Sequence, residues 1–471
     1  MEFKYHPETK EELKKLVKDE SIYLGDIDTS NITDMSHLFH KSTRKDFSGI
    51  EKWDTSNVTN MSGMFSSCRD FNQPVTFNTS NVEDMHYMFA ECMNLNQPVE
   101  LDTSKVKDMH AMFAGCEKFN QPVPFDTSKV TNMSWMFFGC HEFNQPLEFD
   151  TSNVEDMHDM FAGCGNFNQP IKFDTSKVRD MSNMFASCRS FDQTLNFDTS
   201  NVTDMHRMFV GCIKFNKPVK FSTPNVKDMS AMFAECMNLN QPVELDTSNV
   251  ENMSQMFCTC YSFNQSLNFN TSNVTNMSGM FSSCRDFNHP VPFDTSKVEN
   301  ISGMFCECKN FNQPIAFNTS NVTKIYGMFA ECEKFNQPIE FNTCKVKDME
   351  AMFAGCREFN QSLNLNTSNV INMKRIFIDC DKLPIETQAK IELNTSDVIR
   401  GEPGMALKYA IVREKNNNYT ALKKDNDIYV YNSEEIETTE WIGRGTIVNL
   451  SWPEGAPSAT MTKAQLQKLD R

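Results

Sequence analysis

The residues of this chain with reactive side chains fall on a grid. Fourteen of its 17 cysteines stand 24 residues apart, from Cys68 to Cys380. His86, His110, His158 and His206 share another place of the same period, where Ser is the common alternative. A third place, which opens the period, holds Asp54, Asp102, Asp126, Asp150, Asp174, Asp198, Asp246 and Asp294, with Asn or Ser elsewhere. Thiols, imidazoles and carboxylates in register suggest disulfides, metal binding or proton transfer, and each can be weighed. Cysteines on neighbouring repeats would lie roughly 5 Å apart, which permits a disulfide, but every thiol would have two equivalent partners, so no single pairing is specified. No Cys-x2-Cys pair with matching histidines is present, and Cys258-Thr259-Cys260 and Cys306-Glu307-Cys308 are single added cysteines, so zinc is not expected. The column reads as buried free thiols that behave as small apolar groups. Adjacent Asp carboxylates could share Ca2+ through oxygen, yet Asx-turns and caps explain the same residues more simply. A position that accepts Ser or His reads as exposed. No Ser–His–Asp, Cys–His or phosphate-loop arrangement stands out. No catalytic residue, metal or cofactor is expected.

These residues are carried by a repeat. Asp54–Phe77, DTSNVTNMSGMFSSCRDFNQPVTF, recurs with little drift into the low 380s, and the Phe series runs every 24 residues from Phe65 to Phe377. A fixed period in the twenties marks units that cannot bury an apolar face alone and must stack. Val58, Met61, Met64, Phe65 and Cys68 have the spacing of one helical face, which predicts a short helix or a 3-10-like turn. Ser56 is the predicted N-cap, with capping boxes at Ser80/Glu83, Ser152/Glu155, Ser248/Glu251 and Ser296/Glu299. Val75 and Phe77, like Val99 and Leu101 or Ile171 and Phe173, alternate with one variable residue, as in a short half-buried strand that Pro74 keeps short. The Asn-Gln pairs, such as Asn72-Gln73 and Asn96-Gln97, are placed to form a hydrogen-bonded ladder in the return loop. The fold class expected is an α/β repeat solenoid, leucine-rich-repeat-like. It has 15 coils of about 24 residues with short parallel strands and is followed by a small β-rich domain.

The DTSNVTxMSxMFxxCxxFNQ pattern resembles that of the BspA-like leucine-rich-repeat bacterial surface proteins, in particular the short repeats of mycoplasma-type lipoproteins. The block from Pro7 to Leu13 through Asp26-Ile27-Asp28-Thr29-Ser30 is similar to their entry segment. The likeness covers roughly residues 20–384. It implies a solenoid, an interaction or adhesion role at a bacterial surface, and no enzymatic residues.

Four segments are expected: residues 1–27 as an N-terminal capping helix and strand, 28–384 as repeats, 385–404 as a cap or linker, and 405–471 as the β-rich domain. Thr9 with Glu12 should cap a helix bearing Leu13, Leu16 and Val17. Asp28–Trp53 is an irregular first repeat of 26 residues, with Ser42 where the others have Cys. Near the C-terminus, strands are expected at Lys408–Val412, Asp427–Tyr431 and Thr439–Trp452, and a polar helix at Lys463–Leu469. The opening residues contain no apolar leader, and no run approaches the ~18 apolar residues of a membrane span. The sequence therefore reads as cytoplasmic, while the resemblance points to the cell surface.

A net charge of −17 and a pI near 5.1 disfavour nucleic-acid and anionic-membrane partners. The recognition candidates are the outward residues of each strand, which vary while their neighbours do not. They are Thr76, Glu100, Pro124, Glu148, Lys172, Asn196, Lys220, Glu244, Asn268, Pro292, Ala316, Glu340 and Asn364. The expected function is a non-enzymatic interaction or adhesion scaffold for a protein or host-surface ligand. The alternative is an intracellular regulator whose repeats select a partner and whose C-terminal domain acts.

Overall fold

Each repeat is organised by where the backbone amides between its first Met and its Cys find acceptors. In a computed structural model of the chain, residues 3–384, Thr387, Ile391 and five strands beyond residue 400 are described. From Met61 to Cys68, alternate amides donate sideways: Met61 to Asp84 O, Gly63 to His86 O, Phe65 to Met88 O and Ser67 to Ala90 O. The intervening amides of Met64, Ser66 and Cys68 donate three residues back, to Met61, Gly63 and Phe65. The remaining amide, of Ser62, is taken by Asn60 Oδ1 at 2.8 Å. No donor in the segment is left over, as buried backbone requires.

This pattern replaces the predicted helix. An α-helix would spend every amide within its own repeat, leaving none to bind a neighbour, whereas two successive turns free every second one. Each turn needs a left-handed third residue, the signature of a type II turn. The repeats supply it at Gly63 and Ser67, Tyr87 and Glu91, Ala111 and Gly115, Trp135 and Gly139, and so on, with φ of +52° to +62° at the non-glycine positions. Because the turns reverse at the spacing of a helical repeat, the apolar set that suggested a helix still points inward. Val58, Met61, Met64, Phe65 and Cys68 are all buried.

The chain divides into two units, Met1–Val274 with Met280–Phe287 and Thr275–Gly279 with Asn288–Arg471. In the first, helix α1 (Lys10–Lys18) begins at Thr9, whose Oγ1 accepts the Glu12 amide at 3.2 Å. It buries Leu13 and Val17, and Lys10 reaches Asp34 Oδ2 at 3.0 Å. Arg44, buried in the irregular first repeat, donates to the carbonyls of Val17, Asp19, Ile22 and Asp46 and ties that repeat to the segment after α1. Gly49, at φ +100°, has no room for a Cβ, which would lie 2.2 Å from the Gly25 nitrogen. The repeats then pair in parallel through one bridge column, Asp34↔Asn60↔Asp84↔Asp108↔Asn132↔Asp156↔Asp180↔Asp204↔Asp228↔Asn252.

The parallel strands expected after each Pro form at β1 (Val219–Phe221) and β2 (Val243–Leu245), with isolated bridges at Val75↔Val99 and Ile339↔Leu363. The main pairing column lies instead at the Asp/Asn before the first Met. Only a few residues lie between the head of the strand and the turn at the next opening Asp or Asn. The predicted capping boxes also give way. Ser80 donates its hydroxyl to Asn78 Oδ1 at 2.8 Å, and Glu83 pairs with Lys107 Nζ at 2.8 Å. The Asn ladder does form, Asn96 Oδ1 accepting the Asn120 amide at 3.0 Å and Gln121 Nε2 at 3.1 Å.

Inside, like residues stack on like. Phe113, Phe137, Phe161, Phe185 and Phe209 follow one another at ring-centroid distances of 5.7–5.8 Å and interplanar angles of 3–8°. Each such pair adds about 0.5–1.5 kcal/mol beyond the area it buries. Buried Thr103, Thr127 and Thr151 donate to the opening carbonyl of the next repeat at 2.8–2.9 Å. The thiol of Cys140 donates to Phe113 O at 3.1 Å, as that of Cys164 does to Phe137 O at 3.0 Å. These cysteines are free, and burial pushes their thiols well above the ordinary range.

The second unit repeats the same bonding, for example Ala351 to Lys374 O and Phe353 to Ile376 O. It also holds an antiparallel sheet of β3 (Tyr409–Glu414), β4 (Tyr419–Lys423), β5 (Glu435–Gly443), β6 (Thr446–Val448) and β7 (Thr460–Thr462). Their order is β4-β3-β5-β6, with β7 also on β5. The strand expected at Asp427–Tyr431 and the helix at Lys463–Leu469 lie outside the described residues, as does most of 385–404.

Two stability measurements test this account. Phe161→Ala should cost about 3–5 kcal/mol in urea unfolding, against less than about 0.5 kcal/mol for Glu148→Ala on the surface. Ala351 stands at φ +53° and is half-buried, so Ala351→Gly should stabilise by about 1 kcal/mol as the left-handed penalty is relieved. A loss of stability would contradict the turn geometry.

Candidate functional site

The strand-face column is held outward by its neighbours. Val75 and Phe77, Val99 and Leu101, Val219 and Phe221 are buried, so the residue between each pair must face solvent. In the first unit Thr76, Glu100, Pro124, Glu148, Lys172, Asn196, Lys220, Glu244 and Asn268 are all exposed, and in the second so are Pro292, Ala316, Glu340 and Asn364.

The column is most ordered where β1 meets β2. Val219, Lys220 and Phe221 pair with Val243, Glu244 and Leu245. Lys220 Nζ lies 3.1 Å from Glu244 Oε2, with the two side chains 84% and 63% exposed. At that exposure the pair orients its members more than it stabilises the fold. Lys220, Pro242, Glu244, Ser266 and Asn268 line an open hollow of about 520 Å³, floored in part by Phe221 and Phe269. Three adjacent candidates thus share one concavity with cationic, anionic and amide character. Thr76, Glu100, Glu148, Lys172 and Asn196 are exposed at the same place of their own repeats.

The repeat-opening aspartates are held by Asx-turns. Asp126 Oδ1 accepts the Ser128 amide at 3.0 Å and its hydroxyl at 2.7 Å, and these bonds, the hydroxyl foremost, hold the carboxyl below its usual range. Asp54, Asp102, Asp150, Asp174, Asp198, Asp246 and Asp294 are lowered by the same pair of bonds.

Where the histidine place holds Ser or His it is not exposed, contrary to the sequence reading, although Tyr326 and Lys374 at the same place are. Ser62, Ser134 and Ser182 are buried, Ser230, Ser254 and Ser278 are half-buried, and the histidines are half-buried against the bridge column. His206 Nδ1 donates to Asp204 Oδ1 at 2.7 Å, and this bond raises the imidazole pKa against the opposing effect of burial. Burial also opposes ionisation of Asp204, but the bonds from the His206 ring and amide outweigh it and the carboxyl falls below its usual range. His110 instead meets Ser134 Oγ at 2.6 Å and Tyr87 Oη at 2.8 Å, and burial lowers its pKa. A signal for this arrangement was present in the sequence. Each histidine of the column sits in an Asp-Met-His triplet, at 84–86, 108–110, 156–158 and 204–206, and none follows Asn.

A family model described as "Mycoplasma protein of unknown function, DUF285" matches the chain in overlapping stretches at 11–124, 99–196, 123–219, 172–245, 194–292, 243–316 and 291–390. The chain belongs to this family. It is a repeat protein, and the DUF285 match spans α1 and the repeats and ends before β3. No curated protein and no solved structure matches it.

The two histidine environments predict opposite pH effects. A raised folded-state pKa at His206 gives stability that is complete below about pH 6.5, its unfolded value, and is lost as pH rises through the folded pKa. A lowered pKa at His110 gives the reverse, stability lost as pH falls below about 6.5. Thermal unfolding between pH 5 and 8 should show His206→Ser weakening the first dependence, which His158 shares, and His110→Ser weakening the second, which His37 shares. Identical profiles for the two variants would contradict the assigned partners.

Proposed function

We propose that this DUF285 protein is a non-enzymatic recognition scaffold, a leucine-rich-repeat-like solenoid of the BspA-like kind that presents its strand-face column to a protein or host-surface ligand. The observation that carries this reading is the contrast within each strand. Flanking positions are buried, Leu245 alone being half-buried, and near-invariant in type, whereas the residue between them is exposed and takes Thr, Glu, Pro, Lys, Asn or Ala. Stacked repeats with a free column are the usual form of an extended binding surface. The hollow at Lys220, Glu244 and Asn268 is the place on that column where a partner's side chain would gain most contact. An adhesive role at a bacterial surface is consistent with the resemblance of the DTSNV–MF–C–FNQ repeat.

The test is a quadruple variant, Lys172→Ala, Lys220→Ala, Glu244→Ala and Asn268→Ala, compared with the parent for binding to intact host cells and to a panel of extracellular proteins. Circular dichroism and Tm should stay the same, since surface truncations cost little. Binding should fall at least ~10-fold, the loss expected when a central contact is removed. Undiminished binding would exclude this column as the recognition face.

A further inference from the structure

The Asp-Met-His triplet at 156–158 differs from the others in what the next repeat places beside it. Asp156 and Asp180 are bridge partners in the parallel column, so their side chains stand one above the other. His158 extends from the same segment, its Nδ1 2.6 Å from Asp156 Oδ1. One ligand atom from each of Asp156, His158 and Asp180 lies within 4.8 Å of the other two, and all three residues are half-buried. The triplets at 84–86 and 204–206 also have an Asp one repeat on, Asp108 and Asp228, but among the described residues only the 156–180 trio reaches this spacing.

We propose that Asp156, His158 and Asp180 form a binding site for a first-row divalent metal ion of the Zn2+ class. Two carboxylate oxygens and one imidazole nitrogen make a mixed hard and borderline donor set. It favours such ions over Ca2+ and Mg2+, which prefer all-oxygen sites, and over Cu(I), which prefers thiolates. Three protein ligands leave positions open for water or for a group on a partner. The donors are mounted on rigid backbone. The Asp156 and Asp180 Oδ1 atoms are fixed by the amides of His158 and Ser182 at 3.0 and 2.9 Å, while among the described residues neither Oδ2 accepts a bond. Those oxygens are available without dismantling either turn. The ion would replace the His158–Asp156 hydrogen bond.

Asp159, half-buried, places a further carboxylate in the same repeat. The site lies on the Asp/His column rather than on the strand-face column, and it does not depend on the scaffold reading.

The columns themselves supply conservative controls. Asn occupies the bridge place at Asn132 and Asn252, and Ser the histidine place at Ser134 and Ser182. Asp156→Asn, His158→Ser and Asp180→Asn therefore install residues that the fold already carries at equivalent places. The experiment is calorimetric titration of the full chain with ZnCl2 under reducing conditions, with MgCl2 and CaCl2 in parallel and circular dichroism of every variant. The expected result is one Zn2+ bound per chain, insensitive to excess Mg2+ or Ca2+, and weakened at least ~10-fold in each single variant with the spectrum unchanged. Zinc binding that survives in the triple variant, as binding to half-exposed Cys258, Cys306 or Cys344 would, overturns the proposal. So does absence of binding in the parent.

Discussion

The architecture depends on a division of labour among backbone amides. Between the first Met and the Cys of a repeat, alternate N–H groups hold the repeat's own turns and the others hold its neighbour. That alternation requires a left-handed residue twice in eight positions, a conformation that costs roughly 1–2 kcal/mol at each non-glycine residue. Trp135, Asp159, Asn183 and Arg207 are all kept there. The cost is met by stacking: the turns place Met and Phe inward, and each repeat covers the apolar face of the one before. A repeat in isolation would have the strained turns without the sideways bonds or the stacked rings, so it has no reason to fold alone.

From this constraint the identities of the buried polar residues follow. A thiol suits the last position of the second turn because it is small and apolar yet can donate to the Phe carbonyl one repeat earlier. Threonine suits the place after the opening Asp because its methyl packs while its hydroxyl reaches the next opening carbonyl. The same rule has an edge. Thr367 Oγ1, in the last regular repeat, is buried with no partner among the described residues. Asn in the return loop serves a comparable purpose, its side-chain oxygen accepting the amide of the Asn one repeat on. Each column is thus a one-dimensional chain of bonds that tolerates few residue types.

Much of this was legible from spacing, because stacked repeats copy each constraint every 24 residues. The core columns, the buried cysteine column, the Asx-turns at Asp54 and Asp126 and the Asn ladder could all be read from residue type and register. What misled was a degeneracy of period. Val58, Met61, Met64, Phe65 and Cys68 mark an inward face equally well for a helix and for two consecutive turns, and only the direction of the amides separates them. The sequence held a faint clue, since Gly recurs at Gly63, Gly279, Gly303 and Gly327, two residues after the first Met or Ile. Tyr87, Trp135 and Arg207 at the same place disguise it. The misplaced pairing column follows from the same error, because a helix would have left the strand after Pro74 as the only segment able to bond sideways. The strand-face residues were found because their neighbours' burial fixes their direction regardless of how much pairing occurs.

Where stacking dictates most of the residues, information about ligands concentrates in the columns that are free to differ. On the strand face the freedom is broad, six residue types with opposite charges, as expected where only solvent or a partner constrains the choice. At the histidine place it is correlated: imidazole stands only behind aspartate, never behind asparagine, although asparagine serves the backbone turn just as well at Asn60 and Asn132. The turn alone does not account for that pairing, because its amide bond needs one oxygen and either residue has it. A carboxylate adds a charge and a second lone-pair oxygen, and those are what an imidazolium or a bound cation uses. The two columns therefore differ in the kind of constraint they record, one left open by exposure to solvent and the other set by charge held within the protein.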